Sequence, residues 1–434
     1  MKTKTKNNSV PSKKISHGFS LIELMVAVLI GIIMLSALVS LFTNFSNMNR
    51  AQNGLARIQE NGRFISLNMK QDIENVGFQP CATISMDSPQ RIDKGFATRP
   101  FISFSTLSNG FPNAIAGEKA AVIDTQYLIQ GHECTGSTCT PAIKVFPGGD
   151  ISGKIPDAGT TAGSRAQNTD VLTVRFIKSN SATINDDTLN GGFTSTIGSI
   201  NLATNPANAP LNLEDGNDIL ISNCFNTVIA KAKLGSGNKI KVPIATLKPE
   251  ATVAWATSDN LTSVFNFTKD FVTVSYYIGL KTNPDNDKYL ISSLYRVENG
   301  NAPQEIVEGV ERFDLTYGVK FSDGKVGYLT AKDIQDNTDA TKCIVAPITP
   351  ASITGLTKLA NGTGCLWRSV FAIKVNVLLN TVYNSAQINT EPYTYSIDTT
   401  LNPQTPTNPT SGVNGGYMYR KEFTTTISLQ SNNL

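Results

Sequence analysis

Between Phe19 and Phe45 the chain runs for 27 residues with a single charged side chain, Glu23, and from Leu24 to Phe42 it carries none. About 20 apolar residues in a helix suffice to cross a bilayer. Five lysines, Lys2, Lys4, Lys6, Lys13 and Lys14, precede the run with no acid among them. A cationic flank stays on the cytoplasmic side, so Met1 is expected inside and the remainder outside. A secretory signal peptide has a shorter apolar core followed by small residues at a cleavage site. Here the run is longer and passes into Asn44–Val76, where the apolar residues Phe45, Met48, Leu55, Ile58, Phe64, Ile65, Leu67, Met69, Ile73 and Val76 recur mostly every three or four positions. That spacing marks one face of a helix. Pro11 and Pro80 have no proline between them. The pattern predicts a single helix over 19–76, about 87 Å long at the usual rise. Its first half lies in lipid, and its second half turns an apolar face toward a globular part. Gly54 and Gly62 mark bends or close packing within it.

Two features call for more than an anchor. Gly18 stands between the cationic leader and the apolar helix, in Lys13-Lys-Ile-Ser-His-Gly18-Phe19-Ser-Leu-Ile-Glu23. Glu23 places a carboxylate in an apolar span, which costs roughly 2.5–3.5 kcal/mol at mid-helix and less near the interface. Snorkelling toward the interface accounts for such a residue equally well.

The run Gly18-Phe19-Ser20-Leu21-Ile22-Glu23-Leu24-Met25-Val26 resembles the processing and assembly motif of type IV prepilins. The resemblance implies cleavage after Gly18 by a membrane prepilin peptidase and methylation of the new amine on Phe19. It also implies that Glu23 meets the terminal ammonium of a neighbouring subunit. Two poorly solvated opposite charges gain by pairing, and removing one strands the other.

Beyond Gly77-Phe-Gln-Pro80, where the helix is expected to stop, short β-branched and aromatic runs take over. Strands are expected at 121–129, 171–177, 219–230, 271–280, 289–297, 312–321, 370–379 and 417–429. Val272-Thr-Val-Ser-Tyr-Tyr-Ile278 alternates as a strand with one buried face does. The stretches 147–167, 179–212 and 401–416, rich in Gly, Asn, Thr and Pro, read as long loops. The fold class is α+β: a long N-terminal helix, transmembrane in its first half, packed on a large, mostly antiparallel, type IV pilin-like β domain. The divisions expected are a leader at 1–18, the helix at 19–76 and an extracytoplasmic β-rich domain at 77–434. A joint between two lobes is expected near Pro249 or around 259–263.

The formal charge of +3 belongs to the leader, because without its five lysines 32 basic residues face 34 acidic ones. No general basic surface is indicated, and no nucleic-acid partner with it. Six cysteines in a non-cytosolic chain favour disulfides. Cys134 with Cys139 is the neighbouring pair, Cys343 with Cys365 closes a second loop, and Cys81 with Cys224 is what remains. A zinc site is disfavoured by the lack of a CxxC pair and by only two histidines. His17 falls in the leader, and His132 is expected on a surface loop beside Glu133. The acidic runs Glu214–Asp218 and Asp285–Asp287 lack the spacing of a calcium loop and read as turns. No phosphate loop or nucleophile–base set is present, so neither catalysis nor a cofactor or metal is expected.

Further landmarks resemble the minor pilins called PilW: 74–81, Asp170–Phe176, Asp218–Cys224, Val307–Glu311 with Tyr317-Gly318, Arg368–Val375 and Arg420–Ile427. The resemblance implies a minor subunit that joins other minor pilins, primes the pilus and sits at its tip, where it presents a large adhesin. It further implies contact with the major pilin, residence in the inner membrane before assembly, and adhesion, twitching motility or DNA uptake as the outcome. A minor pseudopilin of a type II secretion system shares the N-terminal physics and is the alternative. An anchored ectoenzyme would need a catalytic group, for which His132 is the sole candidate histidine.

Overall fold

The computed structural model describes residues 20–76, 101–104, 128–143, 155–178, 180–184, 199–222, 226–242, 263–284, 290–343, 364–382 and 418–429. The chain divides into two units, 1–53 and 54–434, and one helix, Leu21–Glu74, contributes to both. In the first unit every large apolar side chain from Leu21 to Phe42 is exposed. Nothing among the described residues covers this segment. It is helical, long and apolar enough to cross a membrane.

In the second unit the helix is a core element. Gly54, Ile58, Gly62, Ile65, Met69, Asp72 and Ile73 are buried on one stripe. Phe64 and Leu67, although apolar, fall on the opposite face and are exposed. Gly62 permits a close approach rather than a bend: a Cβ there would lie 2.6 Å from the Phe423 ring.

Two sheets supply the rest of this core. The first runs in the order Gln304–Glu308, Leu290–Glu298, Phe271–Thr282, Val171–Ile177, Ile129–Thr135 and Thr138–Thr140. These neighbours all pair antiparallel. Val272, Val274, Tyr276 and Ile278 join Ile58, Ile65, Met69 and Ile73 in one cluster. The expectation of one buried face fails here, because Phe271–Leu280 is buried at every position. The alternate residues lie under a smaller cluster of Ile155, Val171, Tyr277 and Val297. On that side the Thr173 and Ser275 hydroxyls bond each other at 2.8 Å, whereas the buried Ser293 hydroxyl has no partner among the described residues.

The second sheet has the order Val326–Leu329, Val310–Lys320, Val370–Asn380 and Arg420–Ser428, again antiparallel. Its strands are clipped by a buried ion pair. Arg420 donates from Nε to Glu311 Oε2 at 2.8 Å and from Nη2 to Oε1 at 3.0 Å. Asn380 Nδ2 donates to Glu311 Oε1 at 2.6 Å. Asp170 joins the two sheets by accepting from the backbone N–H of Cys134 at 3.2 Å and of Leu315 at 2.9 Å. Burial, reinforced by the Asp314 charge, pushes the Asp170 carboxyl well above the usual range.

The segment between Ile177 and Phe271 makes a lobe with its own core of Ala182, Ile184, Ile200, Leu202, Leu211, Leu213, Ile219, Ile221, Ala232, Ile240, Val242 and Val264. The expected long loop over 179–212 contains the strands Ser181–Thr183 and Ser199–Asn201. The expected strand over 219–230 is two antiparallel strands, Asp218–Ser222 and Asn226–Lys231. Continuous apolar runs do not reveal an internal reversal, because both arms carry the same pattern. The lobe begins and ends where the first sheet's strands stop; the joints expected near Pro249 and at 259–262 lie outside the described residues.

One contact fixes the helix against the first sheet. Asp72 sits on the apolar stripe and accepts from Arg296 Nε at 2.7 Å, Arg296 Nη2 at 3.3 Å and the Tyr276 hydroxyl at 2.5 Å. Arg296 also donates from Nη1 to Glu298 Oε2 at 2.8 Å, and Lys178 Nζ donates to Glu298 Oε1 at 2.7 Å. Burial opposes the Arg296 charge, but the bonds from Asp72 outweigh it and raise the guanidinium's pKa. Asp72→Asn removes one of the two carboxylates that face Arg296 and leaves the Glu298 contact in place. It is expected to cost roughly 1–3 kcal/mol, read as a lowered urea midpoint with an unchanged m-value.

Candidate processing and assembly site

The helix that carries the candidate site starts on a cap. Ser20 Oγ accepts from the Ile22 N–H at 3.3 Å, and its carbonyl accepts from Leu24 N–H at 3.1 Å. In return the Ser20 N–H donates to Glu23 Oε2 at 2.9 Å. Ser-x-x-Glu before an apolar run is the signature of a reciprocal helix cap. Ser20 was therefore legible as a site residue, yet reading Glu23 only as an intruder in the apolar span passes over it. The carboxylate also lies in the first turn, where the helix dipole favours negative charge. Both effects lower the cost of Glu23 in an apolar setting. They still leave a carboxylate on a helix whose neighbouring side chains, Leu21 to Phe42, have no protein cover.

Gly18 and Phe19 lie outside the described residues, as do Cys81, Cys224 and the acidic run at 285–287. Cys134 and Cys139 are bonded across a hairpin, with Cα atoms 4.0 Å apart, and Cys343 is bonded to Cys365 with Cα atoms 5.8 Å apart. The second bond is buried beneath Asn337, whose amide faces both sulfurs. In the acidic run at 214–218 each carboxylate has an internal partner: Glu214 pairs with Lys269, Asp215 accepts from Leu234 N–H, and Asp218 pairs with Lys231. Among the described residues no group of three metal-binding side chains comes together.

His132 is not where the sequence placed it. It belongs to the strand Ile129–Thr135, paired opposite Val171, and is 1% exposed. Its Nδ1 lies 2.7 Å from the Pro141 carbonyl, while Nε2 has no partner among the described residues. A polar residue next to Glu-Cys in a Gly-rich stretch looks like a loop, and only the strand pairing buries it.

The comparisons bear on the two regions separately. A family described as Prokaryotic N-terminal methylation motif matches residues 13–39, and one described as Type IV Pilus-assembly protein W matches residues 275–431. These two matches support a PilW-class type IV pilin. The pilus-assembly match takes in the Arg296 partner of Asp72 and the Glu311–Arg420 clip, so the pilin's matched segment contains one or both members of each buried pair. Among solved structures, a type IV-like pilin from Thermus thermophilus is 12% identical, with a TM-score of 0.17, over 51% of this chain and 87% of that one. A likeness of that size carries no weight for fold or function. No curated protein matches.

Burial pulls the pKa of His132 in this pilin down to about 4, with the Arg175 and Arg165 charges acting in the same direction and the Pro141 carbonyl opposing them. In the unfolded chain an imidazole takes its proton near pH 6.5. Below that value the unfolded state binds a proton that the folded state refuses. The histidine's contribution is therefore intact above pH 6.5 and declines by roughly 3 kcal/mol as the pH falls toward 4. Asp170 titrates in the opposite sense, so a comparison of variants isolates the histidine. His132→Gln is expected to flatten the acid limb of stability against pH in urea unfolding; an unchanged slope would contradict the burial argument.

Proposed function

We propose that this pilin is a minor subunit that primes assembly of the type IV pilus and takes a place in the complex at its tip. The observation that carries the reading is Glu23 at the capped start of a helix whose apolar surface is bare, directly after a prepilin-type junction. In this reading residues 1–18 are a leader, and a prepilin peptidase cuts between Gly18 and Phe19 and methylates the Phe19 amine. The subunit waits in the inner membrane with its N-terminus cytoplasmic, and its β-rich part, 77–434, lies outside. It then leaves lipid for a filament of helices.

The energetics favour that transfer. In lipid, Glu23 has its own Ser20 N–H for one oxygen and nothing comparable for the other. In a filament the second oxygen meets the methylated ammonium of an adjacent subunit, and two poorly solvated charges become a pair. The apolar surface from Leu21 to Phe42 exchanges lipid for neighbouring helices at little cost, since lipid and helix surface are similarly apolar. Ala27, Gly31, Ser36 and Ala37 are small enough to let helices approach, and a Cβ at Gly31 would meet nothing within 4 Å in the isolated chain. Partners are other minor pilins, the major pilin and a large tip adhesin, and the outcome is adhesion, twitching motility or DNA uptake. The pseudopilin alternative shares the N-terminal chemistry, whereas the pilus-assembly match over 275–431 supports the pilus reading.

The mature protein should begin at methylated Phe19 in N-terminal sequencing or intact mass, and substitution of Gly18 should leave the precursor uncut. Glu23→Ala should still be cut, yet enter sheared fibres roughly tenfold less or worse, as loss of a pair worth more than about 1.4 kcal/mol requires. A mature chain starting elsewhere, or fibre incorporation indifferent to Glu23, overturns the proposal.

A further inference from the structure

Asn68, Gln71, Asp72 and Asn75 follow one another at helical spacings of three and four, so they line one side of the helix near its C-terminal end. Across from them the first sheet presents Arg296 and Gln304. These two stand directly opposite each other on adjacent strands and therefore share a face. Phe176, Lys178, Asn180 and Ile306 complete the wall of a cavity of about 360 Å³, all of it within the second unit. That volume falls in the range of small-ligand sites, about 300–1,000 Å³.

The charges in the cavity are already matched. Arg296 is held by Asp72 and Glu298, and Lys178 by Glu298, so two cations meet two carboxylates. An anion would have to displace a carboxylate from one of them. The apolar share is small: Phe176, 5% exposed, and half-buried Ile306 form the outer edge of the main core. Five carboxamides make up the rest of the wall, those of Asn68, Gln71, Asn75, Asn180 and Gln304. Asn68 and Asn75 each give one N–H to the helix, to the Phe64 and Gln71 carbonyls at 3.0 and 2.7 Å. A carboxamide has two N–H donors and a carbonyl acceptor. Each of these two therefore keeps both a donor and an acceptor to offer. Gln71 and Gln304 are exposed, at the open side of the cavity.

We propose that this cavity binds a neutral mono- or disaccharide. A sugar hydroxyl both donates and accepts, and a carboxamide matches it in both respects without carrying charge. The C–H face of a sugar ring finds its complement in Phe176 and Ile306. An apolar ligand would have only those two partners. A metal ion would have a single lining carboxylate, Asp72, which already accepts from Arg296 and Tyr276. The proposal stands apart from the assembly role, because none of the lining residues takes part in processing or in the pairing of Glu23.

The test is saturation-transfer NMR on the full-length protein in a polyoxyethylene detergent, which has no sugar head group. The probes are maltose, lactose and N,N′-diacetylchitobiose. At least one should bind saturably. Gln71→Ala and Gln304→Ala should each weaken that binding roughly fivefold, as the loss of one hydrogen bond requires. The urea midpoint should stay at the wild-type value in both variants, since both side chains are exposed. Failure of all three sugars to bind saturably overturns the proposal, and so does an affinity that neither substitution changes.

Discussion

Asp72 lies on the stripe of the helix that is otherwise Ile58, Ile65, Met69 and Ile73, and its carboxylate takes hydrogen bonds from Arg296 and Tyr276 on two adjacent strands. Apolar packing alone would hold the helix against the sheet but would tolerate small rotations and slides, since burial is non-directional. A bidentate guanidinium–carboxylate contact is directional. It sets which turn of the helix meets which strand, and thereby the position of every residue above it in the second unit. Gly62 then falls against Phe423 of the second sheet, a fit that any added side chain would break. Glu311 with Arg420 does the same between strands of that sheet, at side-chain exposures of 2 and 3%. The globular unit is thus registered by two buried ion pairs, set within cores that supply the bulk of its stability.

The sequence displayed the parts of this arrangement that depend on local pattern. The apolar run, the cationic flank and the helix beyond them follow from composition and a period near 3.6. Strands such as Val171–Ile177 and Val370–Asn380 come within a residue of their observed ends, because each is a compact apolar run bounded by turn residues. Asp72 was visible as an anomaly, a carboxylate three residues after Met69 on the apolar stripe, but its partner stands 224 positions away. His132 illustrates the opposite failure. Its neighbours in sequence are those of a loop, and its burial comes from pairing with Val171, a non-local fact.

Register is where the sequence was least informative, and the hairpin of Lys233–Leu234 with Lys239–Lys241 shows why. Lys233, Lys239 and Lys241 are three basic residues in a chain that has no overall excess of them beyond its first 18 residues. A hairpin turn of defined length brings the three together on one face, and a shift of the pairing by a single residue would send Lys239 and Lys241 inward. The buried Ile240 and half-buried Leu234 forbid that shift. The core of the lobe, rather than its net charge, determines what the surface presents.

The same reasoning joins the two ends of the molecule. Glu23 is a charge that the described residues do not fully compensate, whereas Asp72 and Glu311 are charges that they do. Where a buried charge finds its partner within the fold, its role is to fix geometry. A charge whose cost is only partly met within the fold, like Glu23 with one oxygen on Ser20, retains a favourable interaction to be made with something else. In the proposed assembly the complement of Glu23 is an ammonium at the start of another subunit's helix. On the proposed reading, Asp72 and Glu311 set the stability of the fold while Glu23 serves association, so that the two properties depend on different residues.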